Sequence, residues 1–164
     1  MRIGIDFDNT IANYDEVFCK VAFNNKLIKK DWSGNKQALR KKIIKDKNEE
    51  VWKKLQGLVY GKYMHLAKLS EGFINFLFKS KLLGAKVYIV SHKTIYGHYD
   101  RNKVPLRQVA LKWIIKKKIP EFEKIYFEDS IDNKIRRINN LKLDYFIDDL
   151  ELILKNRKFS KDTN

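Results

Sequence analysis

Four short apolar runs along the chain predict β-strands, and segments of helical periodicity separate them. Their length, their β-branched residues and the polar residues around them are typical of buried strands. The runs are Ile3–Phe7, Lys86–Val90, Lys124–Phe127 and Tyr145–Ile147. Because strands and helices alternate, we expect an α/β fold with right-handed crossovers and a mainly parallel sheet.

Start and stop residues mark two of the connecting helices. Ser70 is expected to cap a helix whose inward face includes Phe73 and Leu77. Gly84 stands where a glycine would end that helix, and Pro105 is expected in the first turn of the next one. Both helices therefore connect one predicted strand to another.

The interval 13–69 is too long for a single crossover helix. It contains amphipathic helical patterns and a break at Trp32–Gly34, without a convincing strand. The patterns are Tyr14–Lys26, Lys36–Lys45 and Glu49–Val59. We therefore expect a catalytic core made of 1–12 and 70–164, with a helical insertion at 13–69.

The composition is that of one globular domain with a strong positive charge. The chain has 164 residues, 44% hydrophobic, with 35 Lys and Arg against 20 Asp and Glu, a net charge of +15. Such a charge is typical of proteins that meet nucleic acid or other polyanions. Lysine far outnumbers arginine, however, which also fits an A/T-rich genome. Charge alone leaves both explanations open.

Cysteine content and apolar runs indicate the expected compartment. Cys19 is the only cysteine, so the chain cannot form an internal disulfide, and we expect it to be a buried apolar residue. The sequence has neither a signal-peptide pattern nor a run of about 20 apolar residues. The sequence therefore predicts a cytoplasmic protein that does not interact with membranes.

Acidic, basic and hydroxyl-bearing residues follow the predicted strands at the points where the strands end. Ligands of parallel α/β sheets bind at the carboxyl ends of the strands, so we expect these side chains to meet there. They are Asp6, Asp8 and Thr10 after the first strand, Ser91, His92 and Lys93 after the second, Lys134 opening the helix after the third, and Asp148 and Asp149 after the last.

Several carboxylates at one edge require a cation. Without one, their repulsion would raise their pKa values, and hard oxygen ligands with few other donors favour Mg²⁺. Ser91 and Lys134 could then hold a phosphoryl group beside the ion. An aspartate could attack the phosphorus while a second acid moves protons. The pair Asp6 and Asp8 fits a nucleophile and a general acid/base.

Four sequence segments together resemble the motifs of the haloacid dehalogenase-like (HAD) phosphohydrolase superfamily. They are DFDNT at Asp6–Thr10, KVYIVS ending in Ser91, EDSIDNKIRRI containing Lys134, and FIDD ending in Asp148 and Asp149. The segments have the order of the family motifs and bracket nearly the whole chain. The resemblance implies a Rossmann-like core with strand order 5-4-1-2-3 or a trimmed version of it, and a small C1-type helical cap at 13–69.

The resemblance also implies roles for individual residues. Asp6 would be the nucleophile and Asp8 the acid/base. Mg²⁺ would be held by the Asp6 carboxylate, the Asp8 backbone carbonyl and Asp148, with Asp149 as a further ligand or its support. Dehalogenases and P-type ATPases of this superfamily lack the second aspartate, so its presence favours a phosphatase.

Several assignments remain alternatives at this stage. Lys124 competes with Lys134 as the phosphate-binding lysine. His92 and Lys93 would either touch the substrate or belong to an ordinary polar loop, and Thr10 would either bind substrate or cap a turn. The aromatic residues Tyr14, Tyr60 and Tyr63 would face the site or form the core of the insertion.

The sequence leaves the substrate open. The sequence resembles small bacterial HAD proteins, some of them deoxyribonucleotidase-like, and this resemblance does not fix a substrate. We expect a small phosphomonoester, such as a sugar phosphate or a nucleoside monophosphate, in preference to nucleic acid. A polynucleotide 3′-phosphatase and a non-catalytic phosphate-binding module are the alternatives.

Overall fold

The computed structural model describes residues 1–160 and 162–164. The strands are β1 (Arg2–Ile5), β2 (Ala12–Asn13), β3 (Lys68–Leu69), β4 (Lys86–His92), β5 (Lys124–Glu128) and β6 (Tyr145–Ile147). The helices are α1 (Asp15–Asn24), α2 (Lys36–Asp46), α3 (Glu49–Tyr60), α4 (Phe73–Leu82), α5 (Leu106–Lys116), α6 (Ile131–Asn140) and α7 (Glu151–Leu154), with a 3₁₀ turn at Met64–Leu66.

The main sheet has the order β5-β4-β1-β6, and its strand pairs are parallel. In the register of β1, Ile3 lies opposite Val87 of β4 and Tyr145 of β6. The predicted α/β fold with a mainly parallel sheet is confirmed. When only the strands of this sheet are numbered along the chain, the order is 3-2-1-4, which is the predicted 5-4-1-2-3 read from the other side without its fifth strand. Because the strands are parallel, their carboxyl ends lie at one edge of the sheet.

Several predicted boundaries differ from those of the structure. Ser70 does not cap α4; Gly72 does, with a φ of 75°. Gly84 has a φ of 69° directly after α4, as predicted for a glycine that ends a helix. Helix α6 begins before Lys134, which is its fourth residue, because Ser130 accepts a hydrogen bond from the amide of Asn133 and fixes the helix start.

The chain forms two compact units, which we call the sheet unit and the helical unit. The sheet unit comprises 1–13, 69–94 and 117–164, and the helical unit comprises 14–68 and 95–116. The sequence-based division placed 95–116 in the core, whereas contacts group this segment, which contains α5, with the helical segment.

The core of the sheet unit is built around β4. Its alternate residues Tyr88 and Val90 pack in a buried cluster with Ile138 of α6 and Phe146 of β6. The neighbouring β1 backbone passes so close to this cluster that a Cβ on Gly4 would lie 2.7 Å from the Phe146 ring. The sheet and α6 therefore fix each other's position.

The helical unit has its own aromatic core. Phe18 stacks on Trp52 with ring centroids 5.1 Å apart, and Tyr60 contacts Tyr14 at 5.0 Å. The Tyr14 hydroxyl lies 2.9 Å from the Met64 sulfur. Tyr14 and Tyr60 could have faced the site or formed the core of the insertion. Their contacts place them in the core of this unit.

Charge is divided unevenly between the two units. The helical unit contains 19 Lys and Arg and 7 Asp and Glu, a net +12, and the sheet unit contains 16 and 13, a net +3. The positive charge therefore belongs mostly to the helices. No helix within the described part of the chain is long and apolar enough to cross a bilayer.

Candidate active site

The segment after β1 turns sharply and presents its two acids. The Phe7 carbonyl accepts a hydrogen bond from the Ala12 amide at 3.0 Å, and the Asn9 amide donates to the Ala12 carbonyl at 2.8 Å. Asn9 adopts a φ of 63°, which asparagine tolerates better than most residues. The turn follows buried Phe7 directly, so Asp6 and Asp8 lie at the carboxyl edge of the sheet.

A buried lysine joins two acids from opposite ends of the sequence. The Nζ atom of Lys134 lies 2.6 Å from Asp6 Oδ1 and 2.6 Å from Asp148 Oδ2. The Lys134 side chain is 2% exposed, and the Asp6 side chain is 7% exposed. The inward register of α6, set by buried Ile135 and Ile138, aims the lysine at the end of β1.

Burial and charge together set the protonation of this cluster. Burial raises the pKa of Asp6 to about 7, the negative charges of Asp148 and Asp8 add to that rise, and Lys134 opposes it. Burial alone would lower the pKa of Lys134, but its two carboxylate neighbours outweigh burial and raise it. Lys134 therefore keeps its charge, while the raised pKa lets Asp6 bind a proton near neutral pH in the absence of a metal ion.

Three carboxylates among the described residues are placed so that they could hold a metal ion together. Oxygen atoms of Asp6, Asp148 and Asp149 all lie within 4.8 Å of one another. Asp148 Oδ1 accepts a hydrogen bond from the Leu150 amide at 2.9 Å, which orients that carboxylate. All-oxygen donors in this number fit Mg²⁺ completed by water and a phosphate. The Asp8 carboxylate is not part of this group, so its predicted metal role is limited to the backbone carbonyl.

Two buried hydroxyls near the ends of β1 and β4 have no hydrogen-bond partner among the described residues. They are Ser91 Oγ, on a residue that is 1% exposed, and Thr10 Oγ1; the amide oxygen of Asn9 is in the same condition. Buried polar atoms are nearly always paired. The two hydroxyls can donate hydrogen bonds to the oxygens of a bound phosphoryl group.

The second acid of the turn has its own lysine. Lys93 Nζ lies 2.8 Å and 3.0 Å from the two oxygens of Asp8, and the Lys93 side chain is 1% exposed. His92 is exposed, and its Nε2 lies 3.1 Å from the Asp129 carbonyl oxygen. Of the two readings, Lys93 therefore belongs to the cluster of site residues, and His92 lies at its margin.

The competing lysine lies at the other end of the sheet. Lys124 is exposed and begins β5, so it stands at the amino edge of the parallel strands. Lys134 stands with the acids at the carboxyl edge. The structure thus brings Asp6, Asp148 and Lys134 together and leaves Lys124 apart.

The sequence analysis did not anticipate the ion pair of Lys93 with Asp8. A usable signal was present in the spacing, since Lys93 lies two residues after Ser91 at the end of a buried strand. Alternation therefore places both side chains on one face of the extended chain. A lysine at an inward position after a strand predicts a carboxylate partner, because buried lysines are rarely unpaired.

Comparisons with known proteins find a similar solved structure but no matching sequence. No family model and no curated protein matches the sequence. Among solved structures, the chain is similar to the crystal structure of a HAD-superfamily hydrolase from Ehrlichia chaffeensis. The two chains are 17% identical, with a TM-score of 0.48 over 94% of this chain and 80% of that chain. A likeness at this level carries no argument about chemistry, which rests on the residues described above.

Proposed function

We propose that this chain is a Mg²⁺-dependent phosphomonoester hydrolase of the HAD type that works through an aspartyl-phosphate. The observation that carries the proposal is the contact of Lys134 with both Asp6 and Asp148 at 2.6 Å. It unites three of the four sequence motifs at the sheet edge where ligands of α/β proteins bind. The unpartnered hydroxyl of Ser91, from the remaining motif, supports a phosphoryl ligand.

In the first step, Asp6 acts as the nucleophile. One carboxylate oxygen forms a bond to phosphorus, and the bond from phosphorus to the ester oxygen breaks with its electron pair on that oxygen. Asp8 enters this step protonated and gives its proton to the departing oxygen, which yields the free alcohol and leaves Asp8 as a carboxylate. Ser91 and Lys134 would hold the phosphoryl oxygens during this transfer.

In the second step, water attacks the phosphorus of the aspartyl-phosphate. Asp8 takes a proton from the water, and the bond between phosphorus and the Asp6 oxygen breaks, which restores the carboxylate and releases inorganic phosphate. Asp6, Asp148 and the Asp8 carbonyl would hold Mg²⁺, with Asp149 as ligand or support. The bound ion would neutralise charge on the phosphoryl oxygens and favour the ionised nucleophile.

Hydrolysis of p-nitrophenyl phosphate tests the proposal. We expect release of nitrophenol that requires Mg²⁺, stops with a chelator and is abolished in Asp6→Asn, because an amide cannot serve as this nucleophile. Asp132→Asn is the matched control, since Asp132 is an exposed acid paired with Lys158. Turnover by Asp6→Asn at the level of the unmodified chain would disprove the nucleophile assignment, and a folded chain without turnover would favour the non-catalytic phosphate-binding module.

The substrate class we favour is a small phosphorylated metabolite. A panel of sugar phosphates, nucleoside monophosphates and 3′-phosphorylated oligonucleotides tests this choice, with kcat/KM compared across the panel. The highest value on a small ester is the expected result. Turnover confined to the oligonucleotides would reverse the ranking.

The helical unit supplies one observation in favour of the polynucleotide alternative. Besides its net charge of +12, it has a groove lined by Phe23, Trp32 and the lysines Lys26, Lys29 and Lys42. Aromatic rings that stack on bases, combined with cations that contact phosphates, are typical of single-strand binding. A 3′-phosphatase acting on polynucleotide ends is therefore the second candidate.

A further inference from the structure

Lys93 is a buried cation placed against the second acid of the turn. Its side chain is 1% exposed, and its Nζ reaches both oxygens of the Asp8 carboxylate, at 2.8 Å and 3.0 Å. The Lys93 amide donates to the Glu128 carbonyl at 2.9 Å, which ties the residue to the end of β5. The ammonium also lies 5.5 Å from the centre of the Phe7 ring. Backbone and side chain are thus both held.

Each of the two acids of the turn pairs with a different lysine of the site. Lys134 contacts Asp6 and Asp148, whereas Lys93 contacts Asp8. A carboxylate whose two oxygens face one buried ammonium loses the freedom to rotate about its side-chain bonds. The Asp8 side chain is 14% exposed, so it keeps access to the outside while its orientation is set from within.

We propose that Lys93 is a positioning residue that holds the Asp8 carboxyl group in line with the ester oxygen of the substrate. This role rests on the proposed function and adds to it. Proton transfer requires the donor within hydrogen-bond reach of the departing oxygen, and a misplacement of about 1 Å costs on the order of 10²-fold in rate. Lys93 acts through Asp8, and its own contact with the phosphoryl group is not required.

The leaving group distinguishes positioning from phosphate binding. The quantity kcat/KM reports only the steps up to departure of the leaving group, when that departure is irreversible. An alkyl ester such as glycerol 2-phosphate needs a proton from Asp8 at this point, whereas 2,4-dinitrophenyl phosphate leaves without one. A phosphate-binding lysine would serve both esters equally, because they share the phosphoryl group.

The test compares Lys93→Met with the unmodified chain on these two esters. We expect kcat/KM to fall by on the order of 10²-fold for glycerol 2-phosphate and by less than about 3-fold for 2,4-dinitrophenyl phosphate. Lys86→Met is the control, since Lys86 begins β4, the strand that Lys93 follows, and pairs with Glu123 at the surface. A loss by the same factor on both esters would overturn the proposal and make Lys93 a phosphate ligand.

A double-mutant cycle gives a second, independent readout. In Asp8→Asn, the further change Lys93→Met should cost less than about 3-fold on glycerol 2-phosphate, because the residue that Lys93 positions is already gone. A further loss near 10²-fold would refute action through Asp8. Lys93→Gln, which keeps a hydrogen-bond donor without the charge, takes the place of Lys93→Met if that variant does not fold.

Failure of this inference is separable from failure of the proposed function. If the unmodified chain with Mg²⁺ hydrolyses neither ester, the proposed function is wrong. If it hydrolyses both and Lys93→Met leaves the ratio of the two kcat/KM values unchanged, the positioning role alone is wrong.

Discussion

Lys134 is the residue on which the site depends most. Its removal leaves Asp6 and Asp148 facing each other without a cation, and loss of one partner of a buried ion pair costs about 3–5 kcal/mol. We expect Lys134→Ala to lower kcat/KM on p-nitrophenyl phosphate by on the order of 10²-fold or more. Lys124→Ala, at the opposite sheet edge, should leave it unchanged, and circular dichroism checks that both variants fold. A larger loss from the Lys124 change would contradict the assignment.

The pKa of Asp6 makes stability depend on pH in a defined direction. Burial raises this pKa from 3.8 to about 7, so between these values the folded chain holds a proton that the unfolded chain has lost. Rising pH through this window therefore lowers the stability of the metal-free chain. Asp6→Asn lacks the effect, because its amide does not titrate.

Chelator-treated chains in urea measure this dependence. The quantity compared is the free energy of unfolding of Asp6→Asn minus that of the unmodified chain. Between about pH 5 and about pH 8, this difference should rise by on the order of 2 kcal/mol. Asp132→Asn, whose exposed carboxyl has its pKa lowered by Lys158, serves as the comparison. A constant difference between the Asp6 variant and the unmodified chain across this range would show that Asp6 is ionised throughout.

How far the site was predictable follows from the kind of signal each residue gives. Asp6, Asp148 and Lys134 lie in motifs with fixed places at strand and helix ends, so their meeting follows from topology. The pairing of Lys93 with Asp8 depends on the direction in which the Lys93 side chain points, directly after β4 ends. Lys93 and Lys134 both lie close to Asp6 and Asp8 in the chain fold, and which lysine pairs with which acid depends on small shifts of backbone position that residue types do not specify.

At the scale of elements, apolar runs located the strands, whereas helix-end signals were correct for Gly84 and wrong for Ser70. The four predicted runs all overlap strands of one sheet, and β1 and β4, the two inner strands, are the ones buried on both faces. Ser70 was a plausible cap, yet Gly72 takes that position because its φ of 75° turns the chain into α4. Helix ends depend on single backbone angles, which residue preferences predict poorly.

Gly4 gives a test of packing at this scale. A Cβ there would lie 2.3 Å from the Leu143 side chain and 2.7 Å from the Phe146 ring, inside the core that holds β1 against β6. We expect Gly4→Ala to lower the free energy of unfolding by about 1–3 kcal/mol through overpacking. Urea unfolding of Gly4→Ala, in a chain that keeps Asp6, measures the change in the free energy of unfolding.

Gly72→Ala is the matched control for Gly4→Ala. A Cβ on Gly72 would meet nothing within 4 Å, so its cost comes from the positive φ alone, about 1 kcal/mol. The Gly4 change should therefore cost more than the Gly72 change. The reverse order would show that backbone strain at α4 outweighs contact in the sheet core.

At the scale of the whole molecule, the concentration of charge was not foreseen. Composition gives only the net charge of +15, whereas the structure shows that the helical unit holds +12 of it. Only 3 of its 19 cationic residues are arginine, the residue best suited to bidentate contacts with bases and phosphates. Composition alone could not show this division, because it depends on which segments pack together.

We predict that this charge attracts polyanions without sequence preference. Duplex and single-stranded DNA should bind with a Kd of about 10⁻⁴ to 10⁻⁶ M, and binding should weaken steeply between about 50 and 300 mM salt. The kcat/KM on a small phosphate ester should fall more gently, because buried contacts are screened less. Sub-micromolar DNA binding that persists at the highest salt would instead favour the polynucleotide phosphatase.

The last residue of the sequence contacts an edge strand of the sheet. The Phe146 amide donates to the Asn164 carbonyl at 2.8 Å, and the Asn164 amide donates to the Asp144 carbonyl at 3.0 Å. Phe159 contacts the Phe146 ring, and the Thr163 hydroxyl donates to the Leu143 carbonyl at 2.8 Å. Open strand edges recruit strands from other molecules. Asn164 therefore occupies hydrogen-bonding positions along the outer edge of β6, and a variant lacking it would leave the Phe146 amide of this edge strand without that partner.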